Sequence, residues 1–268
     1  MSASALELPP RDTELEAQLT RALDGSSLGG PCYAFQQIPS TMDVAHQLAM
    51  QGAPEGTCVW TEQQTSGRGR AGRAWSSPPG GIYLSLILRP RRPLHEVPQL
   101  ALIAGLSLAQ AVRALTGLSP SIRWPNDLLL YDEKLAGILT EAKETLQHGV
   151  YVIAGIGMNL ATPASKLPEG ATSLVEWIER APDRFAFTRE LFGLLHDAYH
   201  RWNDEGFAPI RASLLPWIGL FGRFVHLTTP AETVYGEAVD VDEAGRLVIR
   251  LESGLARAFD AGEVSLLR

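Results

Sequence analysis

The sequence predicts an α+β protein: a domain built on a mixed β-sheet, followed by a small SH3-like β-barrel. Three observations carry that expectation. Between Cys32 and Leu214, short β-rich runs alternate with longer segments of helical period. One of these, the Ala- and Leu-rich stretch from Leu94 to Leu115, reads as the principal core helix. From Gly222 onward the chain changes character, to about five short strands in under about 50 residues.

Taken in order, residues 1–31 read as an N-terminal extension and linker. A weak helical segment, Thr13 to Leu23, is followed by Asp24-Gly25-Ser26-Ser27 and Gly29-Gly30-Pro31. That is too short for a helix-turn-helix domain, which needs about three helices. The main domain is expected over 32–218. Cys32 to Ile38 reads as a strand, and Ser40-Thr41 with Asp43 opens a helix to about Met50, the hydroxyls serving as an N-cap. Thr57 to Thr61 is strand-like, Gln63 to Gly80 is a long Gly/Arg/Pro/Ser loop, and Ile82 to Arg89 is a strong strand. Ile122 to Trp124, Leu128 to Tyr131, Lys134 to Ala142 and Val150 to Leu160 follow as strands, with a hairpin turn at Tyr131-Asp132-Glu133. Helices are expected at Phe187 to Trp202 and Ala208 to Leu214. The barrel, 219–268, contains the runs Phe224 to Thr228, Val234 to Asp240, Leu247 to Leu251 and Ala256 to Asp260.

The 268 residues carry 23 basic and 30 acidic side chains, a net charge of −7, which argues against a dedicated DNA-binding chain. Cys32 and Cys58 make no metal-ligand spacing and fit a reduced interior. No signal peptide is apparent, and the runs Leu100 to Val112 and Tyr151 to Leu160 fall short of a membrane span. A cytoplasmic protein without a membrane partner is expected.

Positive charge is concentrated in Gly67-Arg68-Gly69-Arg70-Ala71-Gly72-Arg73, closed by Trp75. Glycines let backbone approach a ligand, and arginines present planar forks that match carboxylate and phosphate oxygens. The run reads either as a solvated basic loop or as one that is mobile when empty and closes on a small anion. Four segments accompany it. Ser40-Thr41-Met42-Asp43 is a plain N-cap or a seat for a polar head group. Arg123-Trp124-Pro125-Asn126-Asp127 is a structural turn or a site at a strand junction. Lys134-Leu135-Ala136-Gly137 sets one lysine on an apolar strand beside a small residue. Gly155-Ile156-Gly157-Met158-Asn159 suggests close backbone approach inside a strand. No P-loop, no zinc spacing and no Gly-x-Ser-x-Gly elbow occur.

Together, Gln64 to Trp75, Gly81-Ile82-Tyr83-Leu84-Ser85, Arg123 to Asp127, Lys134 to Leu139 and Gly155 to Asn159 resemble the biotin–protein ligases over roughly residues 33–268. The resemblance implies the class II synthetase-like biotin/lipoate ligase fold. It also implies ATP-dependent activation of biotin to biotinyl-5′-AMP and transfer to a lysine of a carboxylase biotin-carrier domain. Arg68, Arg70 and Lys134 are then the catalytic candidates. Ser40, Thr41, Met42, Gln64, Gly67, Gly69, Gly137 and Gly157 join them around biotin. Arg70, Arg73, Trp75, Arg123, Asn126 and Asn159 address the nucleotide, and Asp127 is a candidate for Mg²⁺. Met42 stands where many members have Asn, and Arg123 where many have Lys. With only about 30 residues before the core, a ligase without DNA-binding repressor function is expected, and a homodimer stays open. The rival enzyme is a lipoate–protein ligase or octanoyltransferase, which lacks the Gly-Arg-Gly-Arg and Trp-Pro-Asn-Asp runs as arranged here.

Overall fold

A computed structural model describes residues 8–26 and 28–266. Its centre is a seven-stranded sheet of β1 (Cys32–Ile38), β2 (Cys58–Gln64), β3 (Ile82–Leu88), β4 (Ser121–Arg123), β5 (Asp127–Leu130), β6 (Glu133–Thr145) and β7 (Gly149–Met158). The strand order is β1-β2-β3-β7-β6-β5-β4. The sheet is mixed because β1 and β2 run parallel, joined through α2 (Thr41–Met50), while the other neighbours are antiparallel.

Successive side chains of a strand point to opposite faces, and here the two faces feed two different cores. Ala34, Leu84, Leu86, Ala154 and Ile156 face the main core, with α1 (Thr13–Leu23), α3 (Gln99–Thr116) and α4 (Arg184–Glu205). Phe35, Ile87, Tyr151 and Ile153 face α2. Strand β3 is buried at all seven positions because both of its faces are covered. Helix α3 ends at Gly117, whose left-handed φ of 73° suits a glycine C-cap. The stretch Leu94–Thr116 is long and apolar enough to cross a membrane by length and composition, further than the run the sequence pattern marks. In the fold it lies between sheet and α4, and 72% of its apolar window is buried.

Two expectations change. The N-terminal segment does not read as a detached linker, since Leu15, Leu19 and Leu23 of α1 are buried in the main core and Asp12 N–H donates to Ala34 O. The Gln63–Gly80 loop is not featureless either. Gly69 N–H donates to Arg73 O (2.7 Å), Trp75 N–H donates to Gly67 O (2.8 Å), and Arg68 bridges Ala74. Ala71 and Gly72 turn the tip with φ of 54° and 74°, the signature of a tight hairpin turn.

After α5 (Ala208–Leu214), a five-stranded antiparallel sheet forms the SH3-like C-terminal unit. Its strands are β8 (Phe224–Thr228), β9 (Thr233–Val241), β10 (Leu247–Arg250), β11 (Ala256–Phe259) and β12 (Glu263–Leu266), in the order β11-β10-β9-β8-β12. Its apolar face, including Val225, Leu227, Val241 and Ile249, is continuous with the main core. Trp124 Nε1 donates to Gly245 O (2.9 Å), and Arg211 grips Asp240 through both carboxylate oxygens (2.7 and 2.8 Å).

Candidate functional site

Helix α2 covers only part of its sheet face, and the site is the part left open. Along β7 the residues on that face run Tyr151, Ile153, Gly155, Gly157, so bulky side chains give way to glycine where the helix begins. Gly137 of β6 pairs with Gly157 in register, extending the bare floor to the next strand. A cleft of about 690 Å³ opens above it. The glycines are needed because the floor is already occupied. A Cβ on Gly157 would lie 2.4 Å from Trp75 Nε1, and one on Gly155 would lie 2.4 Å from Met42 Sδ.

Part of the cleft lining is neutral and polar. Ser40 occupies the N-cap position of α2, as expected, but its hydroxyl makes no cap bond; it is buried with no partner. The extended N-cap backbone turns that hydroxyl into the cleft lining. Thr41 N–H donates to Gln64 Oε1 (2.9 Å), and Thr41 Oγ1 donates to the same oxygen (3.2 Å). Met42 lines the cleft too, so the departure at this position replaces a polar contact with a thioether seated over Gly155.

The lining is also cationic, and each arginine has a protein partner. Arg68 Nη2 pairs with Asp43 (2.9 Å) and reaches Glu141 (3.6 Å), whose Oε2 also meets buried His46 Nε2 at 2.7 Å. Arg70 Nη1 donates to Asn126 Oδ1 (3.1 Å) and to Gly262 O (3.4 Å) of the C-terminal unit. Burial lowers the Arg70 pKa below the usual arginine value, with Asp127 opposing the shift. Arg73 pairs with Glu263. Lys134 Nζ bonds Asp127 Oδ1 (2.7 Å) and lies 5.3 Å over the Trp75 ring. Pro125, preceded by a cis peptide bond, carries the chain between Arg123 and Asp127.

Of the residues singled out from sequence, Ser40, Thr41, Met42, Gln64, Arg68, Gly69, Arg70, Arg73, Trp75, Asn126, Lys134, Gly137 and Gly157 line this one cleft. Gly67 instead packs the hairpin base, where a Cβ would lie 2.5 Å from Trp75 O. Arg123 lines a smaller cleft of about 370 Å³ at the seam with the C-terminal unit, beside Arg70, Arg73 and Glu263. Asn159 lines a third, of about 420 Å³, with Trp75, Lys134 and Leu167. Its Nδ2 donates to Thr172 O (2.9 Å), while its Oδ1 is buried without a partner. Asp127 has both oxygens occupied, one by Lys134 and the other by Arg123 Nη2 (2.7 Å). Among the described residues no cluster of three or more His, Cys, Asp or Glu could hold a metal ion. This donor set does not fit a magnesium ion held by Asp127, and no step is derived through one.

Sequence reasoning missed Ser77, Glu141 and Glu263 and quoted Ser85 without a role, though all four are bonded to residues it did select. It quoted Gly155 only as part of a motif. A glycine spaced two residues from Gly157 on one strand is the signal that marks both as one floor.

The mixed sheet with its glycine-floored face belongs to the class of biotin and lipoate protein ligases, as the family match over the sheet domain shows. The comparisons narrow it. Residues 34–159 match the biotin/lipoate A/B protein ligase family, and residues 220–267 match the biotin protein ligase C-terminal domain. The chain is 36% identical over 251 residues to the bifunctional ligase/repressor BirA of Bacillus spizizenii, covering 92% of this chain and 77% of that protein. It is 33% identical to the biotin–[acetyl-CoA-carboxylase] ligase of Mycobacterium tuberculosis, covering 84% and 85%. The biotin protein ligase of Aquifex aeolicus, solved in complex with biotin and ATP, superposes with a TM-score of 0.77 at 27% identity, covering 88% of this chain and 98% of that one. The chain belongs to the biotin protein ligase family.

Proposed function

We propose that this enzyme joins biotin to ATP, forming biotinyl-5′-AMP and pyrophosphate, and then passes the biotinyl group to a lysine of a carboxylase biotin-carrier domain. The observation that carries the reading is the make-up of the cleft lining. It brings Ser40, whose hydroxyl is unpartnered, with Thr41 and Gln64 into one cleft with Arg68, Arg70 and Lys134. A ureido ring needs donors and acceptors without charge, and the Ser40 hydroxyl supplies both. Gly137, Gly155 and Gly157 let Trp75 and Met42 pack close against the sheet, and the acyl chain is assigned to the cleft that these two side chains line. The activities of the relatives support the same substrates.

In the first step the biotin carboxylate oxygen attacks the α-phosphorus, and pyrophosphate leaves. Anion meets anion, so the fixed cations do the chemical work by stabilising charge that builds up in the transition state. Lys134, already aligned by Asp127, is the group we assign nearest the reacting atoms, with Arg70 and Arg68 beside it. In the second step a carrier amine attacks the acyl carbonyl and AMP leaves. Trp75, Asn159 and Arg123 are assigned to the nucleotide side. The hairpin over the cleft excludes water that would otherwise hydrolyse the mixed anhydride. In this reading the catalytic domain spans 32–218 and the C-terminal domain 219–268. A repressor role is not part of the reading, since α1, the helix preceding β1, is packed on the sheet and the chain is acidic.

The test is ATP–pyrophosphate exchange run with biotin and with lipoate, followed by labelling of a purified carrier domain. Exchange dependent on biotin and labelling of one carrier lysine are expected. Exchange with lipoate alone overturns the substrate, and specific operator binding in a gel shift overturns the absence of a repressor role.

A further inference from the structure

One chain of hydrogen bonds runs the length of the cleft wall. Ser85 Oγ donates to Thr41 Oγ1 (2.8 Å), and Thr41 Oγ1 donates to Gln64 Oε1 (3.2 Å). Gln64 Nε2 then donates to Ser77 Oγ (2.8 Å), and Ser77 Oγ donates to Trp75 O (3.3 Å). The direction of every link is forced. Gln64 Oε1 receives the Thr41 backbone N–H (2.9 Å) and can only accept, so the Thr41 hydroxyl must donate to it and accept from Ser85. Trp75 O can only accept as well, so Ser77 must donate to it and accept from Gln64. Three of the members lie in the interior, Ser85 fully buried and Thr41 and Ser77 nearly so, while Gln64 and Trp75 are half-buried. Gly67 closes the join, since a Cβ there would lie 2.9 Å from both Gln64 Nε2 and Ser77 Oγ.

We infer that Ser77 is a positioning residue that couples occupancy of the cleft beside Thr41 and Gln64 to the placement of Trp75 in the same lining. This rests on the reading of the cleft as a biotin site. Thr41 and Gln64 line the cleft, whereas Ser77 does not, and its hydroxyl is hydrogen-bonded to Gln64 and the Trp75 carbonyl. A ligand that takes a hydrogen bond from Thr41 or Gln64 redirects a donor in the chain, and Ser77 transmits the change to the backbone of the hairpin. Trp75 answers because its indole lies against Gly157, with Nε1 buried and unpartnered.

The experiment uses the full chain labelled with 5-fluorotryptophan, with W75F identifying the Trp75 resonance among six tryptophans. In the unsubstituted protein, biotin alone is expected to shift that resonance. In S77A, biotin affinity is expected to change less than about threefold, the shift to vanish, and preformed adenylate to dissociate about 3–10-fold faster, the scale of one neutral hydrogen bond. S77T, which restores the hydroxyl, is expected to restore both. A Trp75 shift in S77A equal to that of the unsubstituted protein overturns the coupling. Should S77A not fold, S77C keeps the volume with a weaker donor and is read by the same criteria. Absence of biotin-dependent ATP–pyrophosphate exchange in the unsubstituted chain instead overturns the biotin reading itself, so the two failures are told apart.

Discussion

Lys134 brings two other site residues together at its ammonium. Its ammonium is held by Asp127 at 2.7 Å and lies over Trp75, so it is aimed before any ligand arrives. A charge-assisted hydrogen bond is worth about 1.5–3 kcal/mol, so Lys134→Ala and Arg70→Ala are each expected to slow adenylate formation about 10–100-fold; single-turnover pyrophosphate release measures it. A rate within about twofold of the unsubstituted enzyme would remove either residue from the role given to it. A second residue carries a pH signature. Burial lowers the His46 pKa below its ordinary value, with the Glu141 hydrogen bond opposing the shift. The unfolded chain therefore takes up this proton first as pH falls. The neutral imidazole's contribution to stability is complete above about pH 6.5 and is lost as pH drops through the folded-state value. Melting temperature is expected to fall less steeply below about pH 6.5 in His46→Gln, measured by calorimetry; parallel curves would contradict this.

Among the elements, the hairpin from Gly67 to Trp75 supplies six of the residues that line the cleft. It is pinned at one end by Arg68 on Asp43 and Glu141, and at the other by Arg70 on Gly262 O and Arg73 on Glu263. The Arg68–Asp43 and Arg73–Glu263 pairs are exposed, each worth at most about 1 kcal/mol, so the pins are weak enough to release. Amide exchange across residues 65–75 is expected to slow when biotin or the adenylate binds, and Glu263→Ala to raise exchange in the free protein. Unchanged exchange in both would deny the hairpin its role as a closing roof. Much of this was legible in the sequence. The Gly/Arg spacing, the glycine pairs and the bounds of α5 emerge from local pattern, because period and turn chemistry are local properties. Ser77, Glu141 and Glu263 were not, since their partners lie elsewhere in the chain and only folding brings them together. The N-cap rule misplaced the Ser40 hydroxyl for a related reason: a buried cleft competes with the helix end for the same side chain.

Across the whole molecule, one core joins the catalytic sheet to the C-terminal unit, with Trp124, Gln99 and Arg211 bonded across the seam. The two parts are expected to unfold in a single calorimetric transition. Trp124→Phe, which strands the Gly245 carbonyl, is expected to destabilise both together by about 1–3 kcal/mol. Two separable transitions would mean that the seam is not a shared core. The N-terminal helix belongs to the same body, which the composition of residues 1–31 did not reveal because a short amphipathic segment looks alike whether it docks or not.

The Arg70 contact with Gly262 spans 192 residues of chain. On the ribosome, the arginine hairpin leaves the exit tunnel long before the strand turn that receives it has been made. A nascent enzyme therefore has its glycine floor and its cations in hand while one anchor of its roof is still untranslated. The seam thus acts as a completion mark, so that a site able to keep a reactive anhydride from water is assembled only after the small C-terminal sheet has folded onto its neighbour.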